Sequence, residues 1–274
     1  MLRPPASHVW AFDAEWVPDL PTGRRVLDLG PEVPDAEVLE AMWAYGGATP
    51  ENPRPYLKTM LCRVVSIAAV IRTVRGDEVS HRLFALPDRP GPMAEDELLR
   101  RFLVAMADKK PQLVGFNSRE ADLPILVQRA MANGLSVPGL GRTHDKWAKD
   151  DFFDRYGNQH VDLREALGGW GKATPSLHEL ATACGIPGKL GTDGASVVDL
   201  WADGNIEHIV RYNLFDALTT FLVWLRAQCL SGHLSLEQEA QERASIRHLV
   251  EERTQLDPVF GLYLEGWDRL SRLM

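Results

Sequence analysis

The pattern of apolar and polar residues near the N-terminus predicts a short buried strand. An apolar run from His8 to Phe12 is followed by Asp13, Ala14 and Glu15. Side chains of a strand alternate between its two faces, so the two carboxylates point the same way. Adjacent carboxylates repel each other and are costly to desolvate. Two interpretations follow: an exposed strand end with two solvated acids, or a pair that binds a divalent cation, because Mg²⁺ prefers carboxylate oxygen and water.

The next segment, residues 17–58, is rich in proline and is called the insertion below. It contains seven of the 18 prolines of the chain, and proline at this density blocks regular strands and long helices. One short helix, from Asp35 to Tyr45, fits its apolar spacing. A segment of this length in a compact domain is either a lid or binding element or a surface insertion without a role. The pattern leaves both interpretations open.

After the insertion, predicted strands and helices alternate. Two β-branched runs, 62–73 and 79–86, are joined by a Gly-containing turn and predict a hairpin. Short strands are predicted at 112–116 and up to Val161, and helices at 94–106, 123–132, 176–184, 197–201 and 206–228. Asp162 and Glu165 resemble a capping box at the start of a further helix. Residues 234–274 predict one helix followed by an irregular apolar tail. This order predicts an α/β fold with a mixed sheet flanked by helices.

Composition narrows the class of protein. The chain is 45 % hydrophobic and 25 % charged, as is usual for globular proteins, and we expect no membrane span. Three scattered cysteines are too few for a disulfide framework, so we expect a reducing, cytoplasmic location. The net charge of −8 argues against a protein that coats duplex nucleic acid through a broad basic face. It leaves room for an enzyme that holds a few nucleotides in a pocket.

Further acidic residues lie on later elements. Asp122 follows the strand at 112–116 and precedes a helix, where it is either an N-cap or a ligand, and its two oxygens allow both. Tyr212 and Asp216 are four residues apart on the long helix, so their side chains emerge on the same face. They form either a surface pair or part of a site. The chain offers these carboxylates but no cluster of His or Cys, which favours Mg²⁺ or Mn²⁺ as the bound metal ion.

Together these residues resemble the motifs of the DEDD (DnaQ-like) exonuclease superfamily. Residues 12–15, Phe-Asp-Ala-Glu, are similar to its first motif, and Gly115-Phe116-Asn117 through Asp122 to its second. Tyr212 through Asp216 is similar to the third motif, and tyrosine four residues before the last Asp is typical of the tyrosine branch. Further motifs, His160-Val161-Asp162-Leu163 and residues 185–189, resemble bacterial predicted 3′–5′ exonucleases related to the proofreading domain of family-B DNA polymerases.

The resemblance implies a ribonuclease-H-like (DnaQ-like exonuclease) fold, with residues 1–230 as the exonuclease domain and 231–274 as a C-terminal helical extension. It implies hydrolysis of terminal phosphodiesters at single-stranded 3′ ends, with DNA expected over RNA, and release of nucleoside 5′-monophosphates. An exoribonuclease of the same superfamily is the first alternative. A non-catalytic nucleic-acid-binding module is the second. Oligomeric state stays open.

The resemblance also implies roles for single residues. Two Mg²⁺ or Mn²⁺ ions would be held by four acids, with Tyr212 orienting the attacking water. The expected ligands are Asp13, which would bridge both ions, Glu15, Asp122 and Asp216. The expected substrate contacts are Ala14, Trp16, Phe116, Asn117 and Lys189, and the aromatics Trp147, Phe152 and Phe153 are candidates for base stacking.

Overall fold

A five-stranded mixed sheet organises the chain in the order β3-β2-β1-β4-β5. The computed structural model describes residues 2–141, 151–168, 171, 173–188 and 196–272. Within them the strands are β1 (His8–Pro18), β2 (Cys62–Arg75), β3 (Glu78–Leu86), β4 (Gln112–Gly115) and β5 (His160–Asp162). The helices are α1 (Leu20–Leu27), α2 (Asp35–Tyr45), α3 (Glu95–Lys109), α4 (Asp122–Ala132), α5 (Leu163–Gly168), α6 (Leu177–Ala183), α7 (Ser196–Ala202), α8 (Ile206–Leu230), α9 (Leu236–Leu256) and α10 (Phe260–Ser271).

Strand β1 lies at the centre of the sheet. It pairs antiparallel with β2 and parallel with β4, while β2 and β3 form the predicted hairpin. Val9 and Ala11 belong to the hydrophobic cluster that contains α8, whereas Trp10 and Phe12 belong to the cluster that contains α3 and α4. Because side chains alternate along the strand, the odd-numbered acids that follow are placed on the α8 side of the sheet. The mixed α/β fold predicted from the sequence is thereby confirmed.

Two segments contain more regular structure than the sequence predicted. The insertion has a second helix, α1, whose N-cap Asp19 accepts a hydrogen bond from the Thr22 N–H at 3.3 Å. Its Pro21 lies in the first turn, where a proline costs no hydrogen bond. The prediction of an irregular C-terminal tail is wrong, because residues 260–271 form α10. Its buried residues, Phe260, Tyr263, Trp267 and Leu270, repeat at the helical spacing that defines one apolar face.

The insertion is fastened to the rest of the domain by a buried ion-pair network. Arg129 on α4 donates to Asp19 at 3.0 Å and to Glu95 at 2.6 Å, and all three side chains are almost fully buried. Val38 and Met42 of α2 are buried in the same core cluster as α3. A buried charge needs a paired partner, so these contacts tie α1 to the body of the domain.

Helices α9 and α10 share the core of the domain. Ile246 and Phe260 belong to the same hydrophobic cluster as Phe221 on α8. Arg72 on β2 makes a bidentate pair with Glu242 on α9, at 2.7 and 2.8 Å. The division at residue 230 stays a prediction. No helix in the described part of the chain is long and apolar enough to cross a bilayer.

Candidate active site

Three carboxylates from two elements meet on the α8 side of the sheet. Asp13 and Glu15 on β1 and Asp216 on α8 each offer one oxygen, and the three oxygens lie within 4.8 Å of one another. The alternation of β1 and the packing of α8 across that face bring them together. A register shift between Glu15 and Trp16 interrupts the ladder with β2 at this point, and such bulges re-aim side chains beside functional sites.

Asp122 lies next to this cluster in a buried position. It is the first residue of α4, and its Oδ1 accepts a hydrogen bond from the Ala14 N–H at 3.0 Å. The N-cap of α4 is Ala121 and makes no side-chain cap, so the Asp122 carboxylate binds the strand instead of capping its helix. The pKa of Asp122 is raised to about 7, chiefly by burial and also by the charges of Asp162 and Asp216, against the lowering effect of the hydrogen bond from the Ala14 N–H.

Tyr212 directs its phenol into the acidic cluster. It lies one turn before Asp216 on α8 and is 6 % exposed. Burial raises its pKa above the ordinary value, and so do the charges of Asp216, Glu15 and Asp13 and its hydrogen bond with Asp216. The phenol therefore keeps its proton at neutral pH and acts there as a hydrogen-bond donor.

A buried polar pair beneath the cluster was not found from the sequence. Asn213 donates from Nδ2 to Ser66 Oγ at 3.0 Å, and both residues are fully buried. Ser66 lies opposite Glu15 in the β1–β2 register. The bond therefore holds α8 against the sheet where Glu15 and Tyr212 meet. A signal for it was present, because an asparagine beside Tyr212 interrupts the apolar stripe of the long helix.

The turn between β4 and α4 is built on Asp162. Asn117 has a left-handed backbone, with φ of 64°, and its N–H donates to Asp162 Oδ1 at 3.0 Å, while the Arg119 N–H donates to Oδ2 at 2.9 Å. The Asn117 side-chain oxygen accepts from Arg164 at 2.6 Å. A Cβ at Gly115 would lie 2.3 Å from the Ser118 Cβ, so this turn requires glycine there.

The remaining predicted contacts fall in different environments. Trp16 and Phe116 are half-buried, and the Ala14 side chain packs in the core. Phe152 is 1 % exposed, so stacking by this residue is a wrong prediction, whereas Phe153 is 49 % exposed. Lys189 and Trp147 lie outside the described residues. The roles of Trp16, Ala14, Phe116 and Asn117 toward a substrate stay predictions.

Tyr56 of the insertion contacts Trp16, the residue after Glu15, and was not predicted as a site residue. Its ring centroid is 6.5 Å from that of Trp16, with the planes at 80°. Desolvation and then the charges of Glu15, Asp122 and Asp13 raise the pKa of Tyr56 to about 12. Tyr56 is 82 % exposed, and its ring partner Trp16 directly follows Glu15 on β1.

The donor set suits a hard divalent cation. Three carboxylate oxygens at this spacing would repel one another without positive charge. Mg²⁺ and Mn²⁺ favour oxygen ligands of this type, whereas Zn²⁺ and copper sites generally include His or Cys. The group formed by Asp13, Glu15 and Asp216 contains neither.

Fold and site together define an α/β protein with an acidic cluster suited to a divalent cation. A family model described as a predicted 3′–5′ exonuclease related to the exonuclease domain of PolB matches residues 54–267. The match spans more than half of the chain, so the chain belongs to this family. Asp122, Tyr212 and Asp216 lie within the match, and Asp13 and Glu15 precede it. A search of curated proteins finds no match.

Proposed function

We propose that this protein is a metal-dependent 3′–5′ exonuclease with a ribonuclease-H-like fold, acting on single-stranded ends and on DNA in preference to RNA. One observation carries the proposal: Asp13, Glu15 and Asp216 bring their oxygens within 4.8 Å of one another. Membership of a family of predicted 3′–5′ exonucleases supports a nuclease role. The strand order with an antiparallel β2 supports the proposed fold. The DNA preference rests on the relation to a DNA polymerase domain.

The four acids have two proposed roles: three form the cluster, and Asp122 lies next to it. Asp13, Glu15 and Asp216 would hold one cation, and Asp13 and Asp122 would hold a second. Such ions supply positive charge to the attacking and leaving oxygens of a phosphodiester. Asp122 is held in place by the Ala14 N–H, so α4 and β1 keep its carboxylate in a fixed position.

Tyr212 would position the attacking water rather than remove its proton. Its raised pKa keeps the phenol protonated, so it cannot take the proton of the water. Its one O–H bonds Asp216, and its oxygen can accept a hydrogen bond from a water beside that carboxylate. Attack on the terminal phosphorus breaks the bond to the 3′ oxygen of the preceding nucleotide. The products are a nucleoside 5′-monophosphate and a chain shorter by one residue.

The partner we propose is the single-stranded 3′ end of a nucleic acid. A net charge of −8 does not favour a long electrostatic footprint on a duplex, and a site for a few terminal nucleotides needs none. We also propose a reducing, cytoplasmic setting, which the three free cysteines support.

Replacing Tyr212 with phenylalanine is expected to lower kcat roughly 10- to 100-fold, the value of one hydrogen bond to a charged group. The ring volume is retained, so thermal unfolding should be close to that of the wild type. Single-turnover cleavage of a labelled oligonucleotide measures the effect. A variant as slow as one that lacks Asp13 would contradict a positioning role.

Digestion of end-labelled oligonucleotides tests the proposal and its alternatives. Single- and double-stranded DNA and RNA, labelled at either end, are incubated with Mg²⁺, Mn²⁺ or chelator. The proposal expects shortening from the 3′ end, fastest on single-stranded DNA and absent with chelator. Faster digestion of RNA would favour the exoribonuclease. Binding without cleavage under every condition would favour the non-catalytic module.

A further inference from the structure

The insertion presents an aromatic side chain to solvent beside the acidic cluster. Tyr56 is 82 % exposed and contacts Trp16 edge to face at 6.5 Å. Trp16 directly follows Glu15 on β1. In a nearly perpendicular pair one ring cannot cover both faces of the other, so Trp16 supports the Tyr56 ring and leaves it open to a ligand.

The backbone on either side of Tyr56 is fixed. Leu57 is 7 % exposed and belongs to the main core cluster. On the other side, the Arg54 guanidinium lies 5.1 Å from the ring centre of Trp43, and Pro55 restricts the backbone of Arg54 to extended conformations. Tyr56 is therefore held between two anchored residues. A ligand that stacks on this ring immobilises little further backbone, so binding costs little conformational entropy.

Cations and aromatic rings are interleaved around this position. Arg54 and Lys58 lie two residues before and after Tyr56. Arg54 pairs with Asp199 at 2.7 Å, and the Lys58 ammonium lies 5.7 Å from the ring centre of Tyr45, so Lys58 is the cation offered to a phosphate here. Positive side chains that follow a backbone of phosphates and aromatic rings that accept bases are the two parts of a surface for single-stranded nucleic acid. Inside a duplex the faces of the bases are covered by stacking, whereas an unpaired 3′-terminal nucleotide can turn its base onto such a ring.

We propose that Tyr56 and Trp16 form a stacking subsite for an unpaired base at the 3′ end, so that the insertion selects single-stranded substrates. The inference rests on the proposed function, because it takes the acidic cluster as the place where that end is cleaved. It makes the insertion a binding element rather than a surface segment without a role. Tyr56 contacts the substrate directly, and its effect is on substrate binding.

Binding of a fluorescein-labelled single-stranded DNA, measured by anisotropy with Ca²⁺ and checked by gel for intact oligonucleotide, tests the subsite. Tyr56→Ala is expected to raise Kd roughly 5- to 100-fold, the range for loss of one base–aromatic stack. Tyr56→Phe keeps the ring and should keep the wild-type Kd. Tyr156→Ala is the matched control, because Tyr156 is 83 % exposed and lies outside the insertion.

An oligonucleotide whose two 3′-terminal nucleotides are abasic separates stacking from other effects. On this probe the wild type and Tyr56→Ala should bind equally. A loss for Tyr56→Ala that equals that of Tyr156→Ala, or that persists on the abasic probe, would overturn the subsite. If cleavage occurs and does not depend on Tyr56, the proposed subsite is contradicted and the proposed exonuclease activity is retained. If binding depends on Tyr56 but no cleavage occurs, the proposed exonuclease activity is contradicted and the subsite is retained.

Discussion

Asp13→Asn is expected to lower the rate of nucleotide release by roughly 10³-fold or more, because each 1.36 kcal/mol of lost transition-state stabilisation costs a factor of ten. Asparagine keeps the shape of the side chain and removes its charge. Asp13 shares the acidic cluster with Glu15 and Asp216 and is the ligand proposed for both cations. The rate is measured by single-turnover cleavage of a 5′-labelled oligonucleotide at saturating Mg²⁺.

Asp77→Asn is the matched control, because Asp77 lies in the exposed turn between β2 and β3. It should cleave at the wild-type rate. Metal titration adds a second readout: Asp13→Ala should lose both ions, whereas Glu15→Ala should chiefly weaken one. Equal stoichiometry for these two alanine variants would count against the division of roles, and full activity of Asp13→Asn would contradict the mechanism.

Glu242→Ala is expected to lower the free energy of unfolding by about 3–5 kcal/mol, the cost of leaving a buried charge without its partner. The partner is Arg72, whose side chain is 5 % exposed and binds both Glu242 oxygens. His81 on β3 also contacts Glu242, at 2.9 Å. Loss of the carboxylate thus leaves the Arg72 charge unpaired and removes contacts of α9 with β2 and β3, while the hydrogen bond between His81 and Ser245 of α9 remains. Denaturant unfolding at neutral pH measures the change.

Two variants test the physical reason for this loss. Glu252→Ala changes an exposed glutamate on the same helix and should alter stability by less than about 1 kcal/mol. The double variant Arg72→Met, Glu242→Leu removes both charges and should recover most of the lost stability. A double variant as unstable as Glu242→Ala would show that packing, rather than the unpaired charge, causes the loss.

The sequence predicted those parts of the site that depend on local periodicity. Alternation along β1 put Asp13 and Glu15 on one face, and helical spacing put Tyr212 and Asp216 on another. It left open whether Asp122 caps its helix, because the deciding partner, the Ala14 N–H, lies 108 residues away. Only the pairing of the strands brings those two residues together.

The features that the sequence did not predict lie where the apolar residues follow neither the helical nor the strand periodicity. Tyr56 lies in an irregular proline-rich segment, and nothing in the apolar pattern distinguishes it from any exposed tyrosine. Only the folded structure shows that the Tyr56 ring contacts Trp16, a residue distant in the sequence. Helix α1 was missed because proline is frequent across the insertion, although α1 itself contains one proline, Pro21, in the first turn that tolerates it.

The exonuclease activity is tested most simply by identifying the products that the wild-type protein releases from a 5′-labelled single-stranded DNA with Mn²⁺. We predict a ladder of fragments that shorten one nucleotide at a time from the 3′ end, with nucleoside 5′-monophosphates detected by mass spectrometry and no reaction in chelator. Intact DNA, internal cleavage, or an equal ladder from Asp13→Asn would contradict it.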